Sequence, residues 1–165
     1  MDHLKFLSAG EEIEIPATDG SETLGGASDV FHYIEGAFNT TESNVPSKPT
    51  APTKAQVFEM VEDGDFKTIF TIPGRTLDSL TWEQSQIKAF AKKHKKWLRE
   101  DGYATFFLFK LKIGEEWKFF VAYVYVYSDG SLHVYRIPFS RDNVWRAECR
   151  RRFVIPQLPS VPLES

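Results

Sequence analysis

Residues 104–137 constrain the fold more than any other part of the chain. Ala104-Thr105-Phe106-Phe107-Leu108-Phe109, the run from Trp117 to Tyr127, and Leu132-His133-Val134-Tyr135-Arg136-Ile137 are dense in aromatic and β-branched residues at strand length. Asp129-Gly130 between the last two is a strong hairpin signal, because both positions accept positive φ, and it predicts a two-residue loop. That loop would set Tyr127 opposite Leu132, Tyr125 opposite Val134 and Tyr123 opposite Arg136 on one face. On the other face Val126 would meet His133, Val124 Tyr135 and Ala122 Ile137. A second two-residue loop at Gly114-Glu115 pairs Lys112 with Trp117, Lys110 with Phe119, Leu108 with Val121 and Phe106 with Tyr123.

Ahead of this meander, Thr81 with Gln84 has the form of a capping box and predicts a helix over 80–100. Its apolar stripe is Ile87, Phe90, His94, Trp97 and Leu98, and Asp101-Gly102 ends it. The expected fold class is therefore α+β, a single domain whose central helix packs on an antiparallel β-meander of three to five strands. The aliphatic Ala122, Val124, Val126 face should receive the helix, leaving the tyrosine face to be covered or used.

The remaining elements fill in around that unit. Residues 1–38 read as an acidic N-terminal segment, with a short hairpin (4–7 and 12–15) and a helix over 29–37, and residues 39–52 as a Pro/Thr/Ser linker. The α+β domain spans 53–156, opening with a helix over 54–62 on a Thr53/Gln56 capping pattern and a strand over 66–72. It closes with a strand at 153–156, and 157–165 form a disordered tail.

The net charge of −3 conceals an asymmetry. Residues 1–65 hold 13 acidic against 3 basic side chains, a balance of −10, and the rest hold 10 against 17, a balance of +7. The halves either meet within the molecule or serve partners of opposite sign. No run reaches the eighteen or so apolar residues of a membrane helix, and the start lacks a secretory pattern, so no membrane partner is expected and the expected location is cytoplasmic. The lone Cys149 excludes an internal disulfide framework.

Catalytic and metal chemistry find little support in the residues. His32 and Glu35 lack a third ligand. Glu116 falls about twelve strand residues, roughly 40 Å, from Asp101, too far to share a metal ion. Cys149 sits among arginines that would favour a thiolate, but without a neighbouring base, and His94 and His133 fall on core-facing stripes. Gly25-Gly26 lacks the lysine and further glycines of a phosphate loop. The expectation is a non-enzymatic binding or adaptor protein with no cofactor and no metal. Its aromatic sheet face, Trp117, Phe119, Tyr123, Tyr125 and Tyr127 rimmed by Lys110, Lys112 and Arg136, would take a protein partner or a second copy of the chain. The alternative is a nucleic acid, with Lys92, Lys93, Lys95, Lys96, Arg150, Arg151 and Arg152 on phosphates and aromatic rings on bases.

Overall fold

Nearly continuous burial along the apolar runs follows from a sheet covered on both sides, where alternation gives way to unbroken hydrophobicity. In the computed structural model, which describes residues 2–100 and 103–157, the strands are β1 (Leu4–Phe6), β2 (Ile13–Ile15), β3 (Tyr33–Ile34), β4 (Thr53–Met60), β5 (Ala104–Ile113), β6 (Glu116–Val126), β7 (Leu132–Pro138) and β8 (Arg152–Pro156). Two α-helices accompany them, α1 (Phe66–Ile69) and α2 (Gln84–Lys93). The strands form one eight-stranded sheet in the order β1-β4-β8-β5-β6-β7-β3, with β2 continuing along β4 beside β1. It is mixed: β5 with β8 and β7 with β3 are parallel, the other pairs antiparallel.

The expected central helix on a short antiparallel meander is thereby corrected. The meander is the middle of a larger sheet, and residues before Thr53 supply three of its strands. The expected hairpin over 4–15 is instead two segments laid end to end along β4, Leu4 opposite Met60 and Ile15 opposite Thr53. The supposed helix over 29–37 is the short β3 followed by a 3-10 turn, Gly36–Asn39. The supposed helix over 54–62 is β4, with Ala55 and Val57 buried against the α2 side and Phe58 and Met60 against the other. A strand buried on both faces places apolar residues next to each other and imitates helical spacing. Conversely, the expected strand at 66–72 begins as α1, whose N-cap Asp65 accepts from the Thr68 amide at 2.9 Å.

The helix expected over 80–100 is ten residues long. Its capping box is Glu83 with Gln86, two residues after the expected Thr81/Gln84 pair. Thr81 Oγ1 instead donates to the Asp78 carbonyl, and Gln84 accepts from the Leu24 amide while donating to the Ser43 carbonyl at 2.7 Å. Residues 16–52 thus wrap over α2 and its side of the sheet, where Leu24, Ala27, Phe31 and Phe38 are buried with Phe90, Phe107 and Phe109. The opposite side is covered by α1 and the segments around Phe139 and Trp145, over Phe106, Leu108, Val121 and Phe153. Of the expected tail at 157–165, Gln157 donates its amide to the Lys54 carbonyl at 2.8 Å, and residues 158–165 lie outside the described residues.

Registers decide what each face presents. The β5–β6 hairpin pairs as the Gly114-Glu115 loop predicts, Lys112 with Trp117 and Phe106 with Tyr123, with Gly114 at φ 63°. The β6–β7 hairpin is shifted by one residue. Tyr127 N–H donates to Ser131 and Gly130 N–H to Tyr127, so three residues form the loop, closed by Gly130 at φ 85°. Asp129 holds this turn by accepting from both the amide and the hydroxyl of Ser131. The β7 partners are therefore Tyr125–His133, Tyr123–Tyr135 and Ala122–Arg136. A one-residue slip turns every side chain of the strand to the other face.

Candidate functional site

The register creates a face different from the expected one. On β6, Ala122, Val124 and Val126 enter the α2-side core, which leaves Tyr123 and Tyr125 on the opposite side. There β7 adds Tyr135 and His133 in place of the expected Arg136, Val134 and Leu132, and β3 lays Tyr33 beside His133. The rings form an unbroken chain: Tyr33–Tyr135 5.4 Å, Tyr135–Tyr123 5.8 Å, Tyr123–Tyr125 6.4 Å, Tyr125–Tyr127 4.8 Å and Tyr127–His133 4.1 Å between centroids. Tyr123 also meets Trp145 at 5.9 Å, where the covering segment ends. Beyond Trp145 the face is open, with Tyr33 43% and Tyr127 42% exposed. A concavity of about 420 Å³ lies there, walled by Tyr123, Tyr125, Tyr127 and Tyr135 with Glu35, Arg141 and Trp145.

The electrostatics of this face are mixed. Burial, aided by His32, holds the His133 imidazole below its ordinary range against the pull of Asp129. Burial also raises the Tyr135 phenol, as do its neighbours Tyr127, Tyr33 and Glu35, so it stays a neutral donor at ordinary pH. Hydrogen bonds from Ser131 keep the Asp129 carboxyl below the usual range. Trp145 is buried and its Nε1 has no acceptor among the described residues, while the Arg151 guanidinium lies 4.8 Å from its ring.

The structure separates the residues expected to act together. Tyr123, Tyr125 and Tyr127 share the open face. Arg136 reaches the concavity's wall, but its guanidinium lies 4.6 Å from the Phe120 ring, and its amide donates to Glu35 Oε1 at 3.0 Å. Phe119 packs on Phe139, whose segment divides the face, and Lys110, Lys112 and Trp117 fall beyond it at a second concavity of about 680 Å³. Lys110 pairs there with Asp78 at 2.5 Å.

The basic residues are split as well. Lys92, Lys93, Lys95 and Lys96 belong to α2 and the turn after it, on the other side of the sheet from the tyrosines. Lys95 Nζ donates to the Gly130 carbonyl at the hairpin tip. Arg152 is spent on the Trp97 carbonyl at 3.0 Å, Arg151 stacks on Trp145, and Arg150 caps the Ala147–Cys149 turn in a left-handed conformation at φ 49°.

Other candidates have structural places. His94 Nε2 is 2.7 Å from the Glu14 carbonyl, and the Cys149 carbonyl accepts from Arg99 Nε. His133, expected in the core, is on the open face. His32 and Glu35 flank β3 through backbone bonds to Leu132 and Val134, and among the described residues no group of three or more His, Cys, Asp or Glu side chains could hold a metal ion. Glu116 pairs with Ile113, and Asp101 lies outside the described residues. Among the described residues no helix is long and apolar enough to cross a membrane.

Tyr33, His133, Tyr135 and Trp145 are the face residues that pattern reading missed. The alternation His133, Tyr135, Ile137 was visible in the sequence, but a two-residue loop assigned it to the wrong side. No family model, curated protein or solved structure matches the chain.

Proposed function

We propose that the protein is a non-enzymatic binding module that takes another protein surface on the open aromatic face of β6, β7 and β3. The observation that carries this reading is the continuous chain of tyrosine and histidine rings left open on β6, β7 and β3, where the same side of the sheet is covered over β4, β8 and β5. Tyrosine, tryptophan and arginine are the side chains that concentrate binding energy at protein interfaces, since they carry large apolar area with a polar tip. Tyr33 and Tyr127, the most exposed of the tyrosines, are the anchors, and Arg141 and Glu35 form the polar rim.

The test is capture of partners from native lysate on immobilised wild type and on a Tyr33→Ala/Tyr127→Ala variant, beside sedimentation over a wide concentration range. The reading expects a partner, or self-association, that the double variant weakens by about thirtyfold or more. A wild type that stays monomeric and captures the same proteins as a folded double variant would refute it. A nucleic acid is the weaker reading, because the lysines lie across the sheet from the rings. An oligonucleotide shift at low salt that the tyrosine variant abolishes would reverse that order.

A further inference from the structure

The edge of β5 carries a second inference, independent of the tyrosine face. β8 pairs with β5 only over Thr105, Phe106 and Phe107. The next outward group, the Leu108 carbonyl, accepts from the Trp82 amide at 2.8 Å. In an antiparallel pair, alternate residues aim both backbone groups toward the same edge. Lys110 and Lys112 therefore turn their N–H and C=O outward with Leu108, and among the described residues no backbone group meets them. This bare edge opens into the 680 Å³ concavity, where Val45 is 48% and Trp117 61% exposed.

We infer that this edge is a site for an extended peptide that adds as a further strand, with apolar residues alternating with acidic ones. Two donors and two acceptors at strand spacing are complemented by another extended backbone. Side chains of the added strand alternate between two walls. On one side the exposed Val45 offers apolar contact over the buried Phe109 and Leu111, and on the other stands Lys112 beside Trp117. Lys48 and Lys112 have no ion-pair partner among the described residues. Of the two carboxylates at the cleft, Glu83 is engaged in capping α2, which leaves Glu42. A second copy of the chain fits poorly, because edge-to-edge pairing would set Lys110 and Lys112 against their own counterparts.

The probe is an end-capped heptapeptide of alternating valine and glutamate, added to the full chain and followed by labelled-peptide anisotropy and by amide hydrogen exchange. Saturable binding is expected, with the Lys110 and Lys112 amides becoming protected. A valine–lysine counterpart, and a valine–glutamate peptide N-methylated at alternate amides, should each bind about tenfold weaker or less. Lys112→Pro removes a donor that β6 does not use, so it should weaken binding about tenfold while the hairpin ladder persists. Binding should be unchanged in Tyr33→Ala/Tyr127→Ala, which separates this site from the tyrosine face. Absence of binding, equal binding of the N-methylated peptide, or unprotected Lys110 and Lys112 amides at saturation would overturn the inference even if Lys112→Pro failed to fold.

Discussion

Lys88 offers a sharp test of how the acidic N-terminal third is joined to the rest. It sits mid-helix in α2 with its side chain only 7% exposed, and its ammonium meets Glu22 at 2.9 Å and Asp29 at 3.1 Å. Burial alone would lower its pKa, but the two carboxylates outweigh burial and raise it above the ordinary lysine value. Lys88→Met keeps the buried stem and deletes both charge-assisted bonds. The carboxylates left behind are more than half exposed, so water rehydrates them and the penalty stays well below that of a stranded buried charge. A loss of about 2 kcal/mol follows, or roughly 4–8 °C in Tm for a chain of this size. Lys88→Ala removes about three further methylenes and should cost about 2 kcal/mol more. Because the folded pKa is raised, the wild-type advantage is complete below the ordinary lysine range and is lost as pH rises through the shifted value. Denaturant melts of the three proteins between pH 7 and 11, at low and high salt, measure this. Equal stability of wild type and Lys88→Met at pH 7, or no gap between Met and Ala, would refute the reasoning.

Gly130→Ala places a methyl in ordinary contact with Lys95 Nζ, 3.5 Å away, but forces alanine to φ 85°. It should destabilise by about 1–2 kcal/mol in a urea melt, through backbone strain alone. Phe107→Ala, at a ring with no exposure that contacts Phe90 at 5.3 Å, should cost about 3–5 kcal/mol in the same assay. His133 has its pKa lowered by burial, so its contribution is present above the ordinary histidine range and is lost as pH falls through the folded value. Wild-type stability should drop between pH 7.5 and 5 more steeply than that of His133→Phe, and parallel curves would argue against a half-buried imidazole held neutral in the fold.

What the sequence revealed depended on how local each decision was. The β5–β6 register could be read to the residue, because Gly114 closes a tight loop and nothing distant alters it. The β6–β7 register could not, since Asp129-Gly130 serves a three-residue loop as readily as a two-residue one, and the side chains of Ser131 and Asp129 settle the choice. Capping patterns misled for a related reason. Thr53 Oγ1 donates to the Ala51 carbonyl and accepts from Gln86, so its threonine and glutamine spacing serves a strand and a tertiary bond. The pairing of β8 between β4 and β5 joins residues about a hundred and about fifty positions apart, for which no local signal exists. For the same reason the tyrosines of β6 were visible as a candidate face, while Tyr33, brought in by a two-residue parallel strand, was not.

The composition of the two faces of β6 bears on the proposed role. Where the strand enters the core it presents Ala122, Val124 and Val126, which carry no polar atom. On the open side it presents Tyr123, Tyr125 and Tyr127, and β7 adds His133 and Tyr135. A face selected only to pack against its own chain gains nothing from hydroxyls that must then find partners. A face that is alternately wet and covered gains both ways, since the rings keep their hydrogen bonds to water when free and bury large apolar area when occupied. The covering segment stops at Trp145, the last ring of the sealed region and the first of the open one, and its buried Nε1 has no acceptor among the described residues. Under the proposed function the Trp145 ring, not its buried Nε1, bounds the partner's footprint, since that nitrogen has almost no accessible surface while the ring walls the concavity. Trp145→Phe, which shrinks that wall and drops a donor already unsatisfied within the fold, should therefore weaken partner capture while leaving the fold nearly as stable. Unchanged capture would place the binding edge farther out, on Tyr127 and Tyr33.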